Sequence, residues 1–137
     1  MSETRKSFLS KIEIGALVVD TVVDNQMMEE GETLNGTIYI DGGDADQVID
    51  HITLEVLVRP LAHSAERHSD AAGRTLTKQS IELVGDVRSK GTRMIPFEIV
   101  PDERWEVDTE QSSLMLRTTA HIPGGTDAHD EDQIQYG

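Results

Sequence analysis

From residue 34 to residue 58, apolar side chains recur at nearly every second position. Leu34, Ile38 and Ile40 fall on one side of the chain, with Asn35, Thr37 and Tyr39 on the other, the period of two that a half-buried strand requires. A second run follows. Val48, Ile52, Leu54, Val56 and Val58 share one face and His51, Thr53, Glu55 and Arg59 the other, which leaves Leu57 as the single apolar residue on the wet side. Between the runs, Asp41-Gly42-Gly43-Asp44 supplies residues that tolerate positive φ or bond their own backbone, so a reversal is expected there.

The rest of the chain reads as further short strands. Residues 14–23 are apolar on both alternating sets, the pattern of a strand covered on both faces, and Asp24 and Asn25 begin a turn that Gly31 ends. After Pro60 the period dissolves, and residues 61–75 read as a long surface loop. Residues 76–84 resume a weaker strand, with Ile81 and Leu83 expected inward. Ile95, Phe97 and Ile99 alternate cleanly, and Pro96 between them implies an edge strand or a bulge because proline cannot donate to a ladder. Leu114, Leu116, Thr118, Ala120 and Ile122 form another strand. Ile134 and Tyr136 alternate as though a last one were starting after the acidic stretch that opens residues 126–137. Phe8, Leu9 and Ile12 alone have helical spacing, enough for one short turn over an end of the fold. Many strands with no intervening helices predict an all-β chain, an antiparallel β-sandwich, built as a single domain over residues 1–137.

Composition narrows the function classes. The chain has 137 residues and no cysteine, so disulfides and thiolate metal sites are excluded and a reducing compartment is compatible. Neither a signal peptide nor a membrane span is expected, because the early apolar stretch reads as a strand. With 26 acidic and 12 basic residues the net charge is −14, which disfavours nucleic acid and anionic membranes as partners. A basic partner surface and a salt-rich cytoplasm are equally simple explanations of the acidity.

Several segments together carry a family pattern: Gly15-Ala16, Val19-Asp20-Thr21, Gly31-Glu32, residues 36–43, Ile49-Asp50-His51-Ile52, Ile95-Pro96-Phe97-Glu98-Ile99, then Gly124-Gly125-Thr126-Asp127 with Asp130 and Asp132. In this order and spacing the chain resembles the sporulation-control protein M family, prokaryotic relatives of the arrestins. The resemblance implies an arrestin-like, immunoglobulin-like lobe, the N-terminal one of two. It also implies a cytoplasmic regulator linked to developmental control, with residues 126–137 placed where the family continues into its second lobe. The chain departs from that pattern at Glu30 and Ala128, where proline is frequent, and at Glu131, where arginine is. An acid at position 131 removes a possible polar link to a second lobe, so an arrestin-type lobe-locking mechanism is not carried over.

Candidate chemistry is sparse. His63, His68 and Asp70 share one loop, but their spacing matches no closed zinc site. Asp127, Asp130 and Asp132, with His129 among them, could offer oxygens to calcium or magnesium, although consecutive acids before a strand more often bond local backbone. The glycines of residues 41–46 fall at the wrong places for a calcium loop. No Gly-x-Ser-x-Gly elbow and no phosphate-binding glycine motif occurs. Glu103, Glu106, Asp108 and Glu110 read as solvated acids in a connection rather than a glycosidase pair. Trp105, the lone tryptophan, is either an exposed partner anchor or, the favoured reading, a cap that buries its ring and leaves its N–H near water. Ile134 and Tyr136 are the other candidate contact residues.

Two function classes follow. The first is a non-catalytic interaction or scaffold module with protein partners, no cofactor and no catalytic residues, which self-associates by edge-strand pairing or by swapping residues 133–137. The alternative is a small β-sandwich that binds calcium or a carbohydrate-type ligand through the acidic tail and the His63 loop.

Overall fold

The computed structural model describes residues 17–61 and 73–137. The short turn expected around Phe8, Leu9 and Ile12, the Gly15-Ala16 pair, the His63, His68 and Asp70 loop and the Leu83 side chain lie outside the described part.

Among the described residues eight strands follow in order: β1 (Val18–Val23), β2 (Met27–Met28), β3 (Leu34–Asp41), β4 (Gln47–Pro60), β5 (Arg74–Val87), β6 (Thr92–Ile99), β7 (Ser112–His121) and β8 (Ala128–Tyr136), with a 3-10 turn at Glu103–Trp105. They build two sheets, a small one ordered β1-β3-β6 and a large one ordered β2-β8-β7-β4-β5. Leu34, Ile38 and Ile40 from the small sheet meet Ile52, Leu54, Val56, Leu116 and Ile134 from the large one in a single buried core. The expected all-β sandwich is therefore observed. All pairings are antiparallel except the two-residue β2, which runs parallel to Gln135 and Tyr136 in a segment that reads as a turn by composition.

The two sheets are also tied by polar bonds. Thr21 of β1 donates its hydroxyl to Thr118 Oγ1 of β7 (2.7 Å, buried) and its backbone N–H to Asp130 of β8 (2.9 Å). On the opposite side of the sandwich the edge strands β5 and β6 face each other. There Arg93 donates to the carbonyls of Val84 and Asp86, and Gln79 donates to the carbonyl of Glu98. Such side-chain stitches occupy edge carbonyls that a foreign strand needs. Pro96 is exposed on β6, an edge strand, as its missing N–H demands.

Alternation is interrupted on β4 at Val48 and Ile49 and on β5 between Ile81 and Val87. Val48 is 54% exposed and Ile49 is 1% exposed, the reverse of the expected facing. The β4–β5 register shifts between Ile49 and His51, opposite Gly85 and Glu82. Gly85 has φ of 91°, the positive value that a bulge glycine adopts. Beside this shift Asp50 and His51 both turn outward, and the inward set of β4 changes from residue 49 to residues 52, 54, 56 and 58. Leu57, expected on the wet side, does face outward from the core but is only 2% exposed. The weak strand at residues 76–84 extends in fact from Arg74 to Val87, with Leu76, Val84 and Val87 buried and Ile81 partly so.

The Asp41–Asp44 turn holds. Gly42 donates to the Gly91 carbonyl (2.7 Å), and its missing Cβ leaves room for the Arg88 backbone. Asp44 pairs with Lys90 and Asp46 accepts from the Ser89 N–H, so two hairpin connections brace each other at this end.

Candidate functional site

The outer face of the large sheet gathers most of the described chain's paired charges. Register alone places Lys78 (β5) opposite Glu55 (β4), Glu55 opposite Arg117 (β7) and Arg117 opposite Glu131 (β8). One row of four strands thus alternates in sign, the arrangement that cross-strand neighbours favour. Arg117 Nε donates to Glu131 (2.8 Å) and its guanidinium lies 4.0 Å from Glu55, which also accepts from the Thr75 hydroxyl. Arg59, two rows along β4, reaches over β7 to Glu131 and makes a bidentate pair at 3.0 and 3.2 Å. To do so its aliphatic stem must cross the row formed by Leu57, Met115 and Gln133, in line with the burial of Leu57.

Glu131 is the hub. The two N–H bonds from Arg59 lower its carboxyl from 4.5 to about 2; burial opposes that shift, and the Arg117 bond adds to it. The acid at position 131 therefore ties β8 to β4 and β7 within one sheet. Neither the bidentate bond nor its reach was visible in sequence, although Glu55 and Arg59 sit on the polar set of β4.

A second cluster lies on the same face, nearer the β7–β8 turn. His51 and His121 are directly opposite in register, and their rings stack at 4.2 Å between centroids and 17° between planes. Each Nδ1 meets a carboxylate: Asp50 at 2.8 Å from His51 and Asp127 at 3.1 Å from His121. His121 Nε2 lies 2.9 Å from the Thr53 hydroxyl.

The candidate residues do not converge. Asp127 accepts from the Ile122 N–H and faces His121 at the turn, Asp130 accepts from Thr21 between the sheets, and Asp132 follows Asp130 on the inward set. Among the described residues no three His, Asp or Glu side chains are grouped to hold a metal ion. Trp105 is 0% exposed, packs edge-on against Tyr136 with centroids 5.9 Å apart, and donates its N–H to Thr77 instead of to water. Ile134 is buried in the core, so neither it nor Trp105 offers contact surface, while Tyr136 is half-buried with its hydroxyl accepting from the Gly31 N–H. Residues 133–137, the segment expected to swap, pair within the chain: Gln135 donates to Gln26 and Gly137 to Met28. Glu103, Glu106 and Glu110 are exposed, and Asp108 holds a turn by accepting from the N–H groups of Glu110, Gln111 and Ser112.

One open cleft of about 580 Å³ lies where Val58, Pro60, Gly73, Arg74, Arg104 and Val107 meet. Another of about 510 Å³ runs beside Val22, Met27 and Asp132. No helix among the described residues is long and apolar enough to cross a membrane.

Comparison with known proteins agrees with this architecture. The sporulation-control protein spo0M of Bacillus subtilis is 26% identical over 132 residues, which cover 94% of this chain and 50% of that protein. Its crystal structure superposes with a TM-score of 0.66 at 25% identity, over 90% of this chain and 50% of the other. A DUF4466 family protein from Parabacteroides merdae shares the fold at 8% identity, with a TM-score of 0.52 over 88% of this chain and 45% of that one. The chain thus spans about half the length of the curated relative it matches. The SpoOM protein family model matches residues 5–136, and the chain belongs to that family.

Proposed function

We propose that this chain is a non-catalytic interaction module of a cytoplasmic, sporulation-control-type regulator and that its partners are proteins. The observation that carries this reading is the commitment of the charged groups on the outer face of the large sheet. Glu55, Arg59, Arg117 and Glu131 bond one another across β4, β7 and β8, so they hold a surface of fixed charge pattern instead of facing a cavity with an activated nucleophile or base. A mixed-sign pattern of this kind selects partners by complementarity more than it adds raw affinity. Family membership and the relative named for sporulation control support the regulatory part of the reading.

The test is affinity capture from the native host with the wild-type chain and with a R59A/R117A variant, using circular dichroism to check that the variant is folded. Proteins enriched on the wild type and lost on the variant support the module. Equal capture by both removes the outer face from the proposal. The calcium- or carbohydrate-binding alternative draws less support, since Asp127 and Asp130 already accept backbone N–H groups. A melting temperature raised by millimolar calcium but not by matched monovalent salt favours that alternative, because binding to the folded state stabilises it by mass action.

A further inference from the structure

We propose that His51 and His121, with Asp50 and Asp127, form a proton-operated latch on the outer face of the large sheet, in which the second proton taken up by the pair releases His51 from the stack. The geometry is specific. The two histidines occupy one register position on neighbouring strands, and Asp50 and His51 both face outward beside the β4–β5 register shift, which brings a carboxylate to the His51 Nδ1. Because a carboxylate oxygen only accepts, both Nδ1 atoms carry hydrogens, and the neutral His121 Nε2 accepts from the Thr53 hydroxyl.

A first proton enters at an Nε2 atom. On His121 it turns the Nε2–Thr53 bond around, so that the ring donates and the hydroxyl accepts. The charged ring then stacks on a neutral one and faces its carboxylate, which is favourable. A second proton places two imidazolium rings at a centroid spacing of 4.2 Å, where like charges repel, so the two uptake events are coupled and belong to the pair.

The two rings are held unequally. His121 is gripped at both nitrogens, by Thr53 and by Asp127, and Asp127 is itself fixed by the Ile122 N–H. His51 is gripped only at Nδ1, by Asp50, whose side chain is 65% exposed. Relief of the repulsion therefore moves His51, and His121 stays on the β7–β8 turn. The surrounding charges set the background: Glu82 of β5 lies opposite His51, His129 of β8 lies opposite Thr119, and the Lys78, Glu55, Arg117 and Glu131 row with Arg59 begins two rows along. Each proton taken up adds a positive charge to this face of the sheet.

The experiment is a proton–nitrogen correlation titration of the imidazoles between pH 8 and 5.5, with ring-to-ring NOEs recorded at both ends. For the wild type, His51 and His121 each follow a two-step curve, the NOE between them is present at pH 8 and fades as the second step proceeds, and the Ile122 amide keeps its hydrogen-bonded shift. In H121Q, His51 follows one step. Independent single-step curves in the wild type, unchanged in H51Q and H121Q, overturn the proposal, as does an NOE that persists with both rings charged. Should H121Q fail to fold, H51Q supplies the same readout on His121.

Discussion

The two faces of the β4, β7 and β8 strands are built from alternate residues of the same segments, yet they are held by different physics. The inner face uses Ile52, Leu54, Val56, Leu116 and Ile134, all essentially excluded from solvent, and its stabilisation follows apolar area removed from water without regard to direction. The outer face uses Glu55, Arg59, Arg117 and Glu131, half-buried groups whose bonds depend on which residue stands opposite which. A one-residue slip would carry the apolar set to the wrong side and dissolve the ion pairs together. The inner face thus penalises slippage, and the outer face marks the register that results.

The largest effects are expected inside. Leu54→Ala removes a fully buried side chain and should cost on the order of 2–5 kcal/mol in urea unfolding. The bulge sharpens this. Ile49→Ala should cost roughly 2–4 kcal/mol, whereas Val48→Thr, one residue away and exposed, should change stability by no more than about 0.5 kcal/mol. If Val48→Thr proved the costlier of the two, the bulge would be misplaced.

On the outer face, Glu131→Gln should cost about 1–3 kcal/mol at pH 7, since it leaves Arg59 and Arg117 without a carboxylate and the site is only partly screened. The sign of its pH dependence follows from the depressed carboxyl. Glu131 is held at about 2 against an ordinary 4.5, so its contribution is fully present above pH 4.5 and is lost as the pH falls towards 2. The stability difference between wild type and Glu131→Gln should therefore shrink across that window, and a difference that stayed constant would remove Glu131 from the account. The smallest effect belongs to Lys78→Ala at the exposed end of the charge row, about 0–0.5 kcal/mol and weaker still at high salt.

Much of the fold was legible because burial writes itself into alternation. The Leu34, Ile38 and Ile40 set, the Ile95, Phe97 and Ile99 set and the Leu114 to Ile122 set all face the core as their period demands. Where that failed, on β4 beside its register shift with β5, Val48 faces out and Ile49 in; the extra residue of that shift lies on β5 at Gly85, and glycine in a strand signals such a bulge only weakly. The burial of Trp105 was the favoured reading, but its partners, Thr77 and Tyr136, come from 28 and 31 residues away in sequence and cannot be inferred locally. The acidic stretch at residues 126–137 concealed a full strand, because Asp130 and Asp132 take inward positions that an apolar pattern never assigns to acids.

By itself, then, the sequence determined the all-β class, most of the core and the family resemblance that the SpoOM match bears out. These depend on composition and on a period of two, both properties of neighbours along the chain. Only the tertiary structure decided that Arg59 meets Glu131, that His51 stacks on His121 and that Thr21 bonds Thr118. Those contacts join residues 70 to 97 positions apart. They depend on strand order and on register, which any one strand's pattern leaves open until its partner is in place.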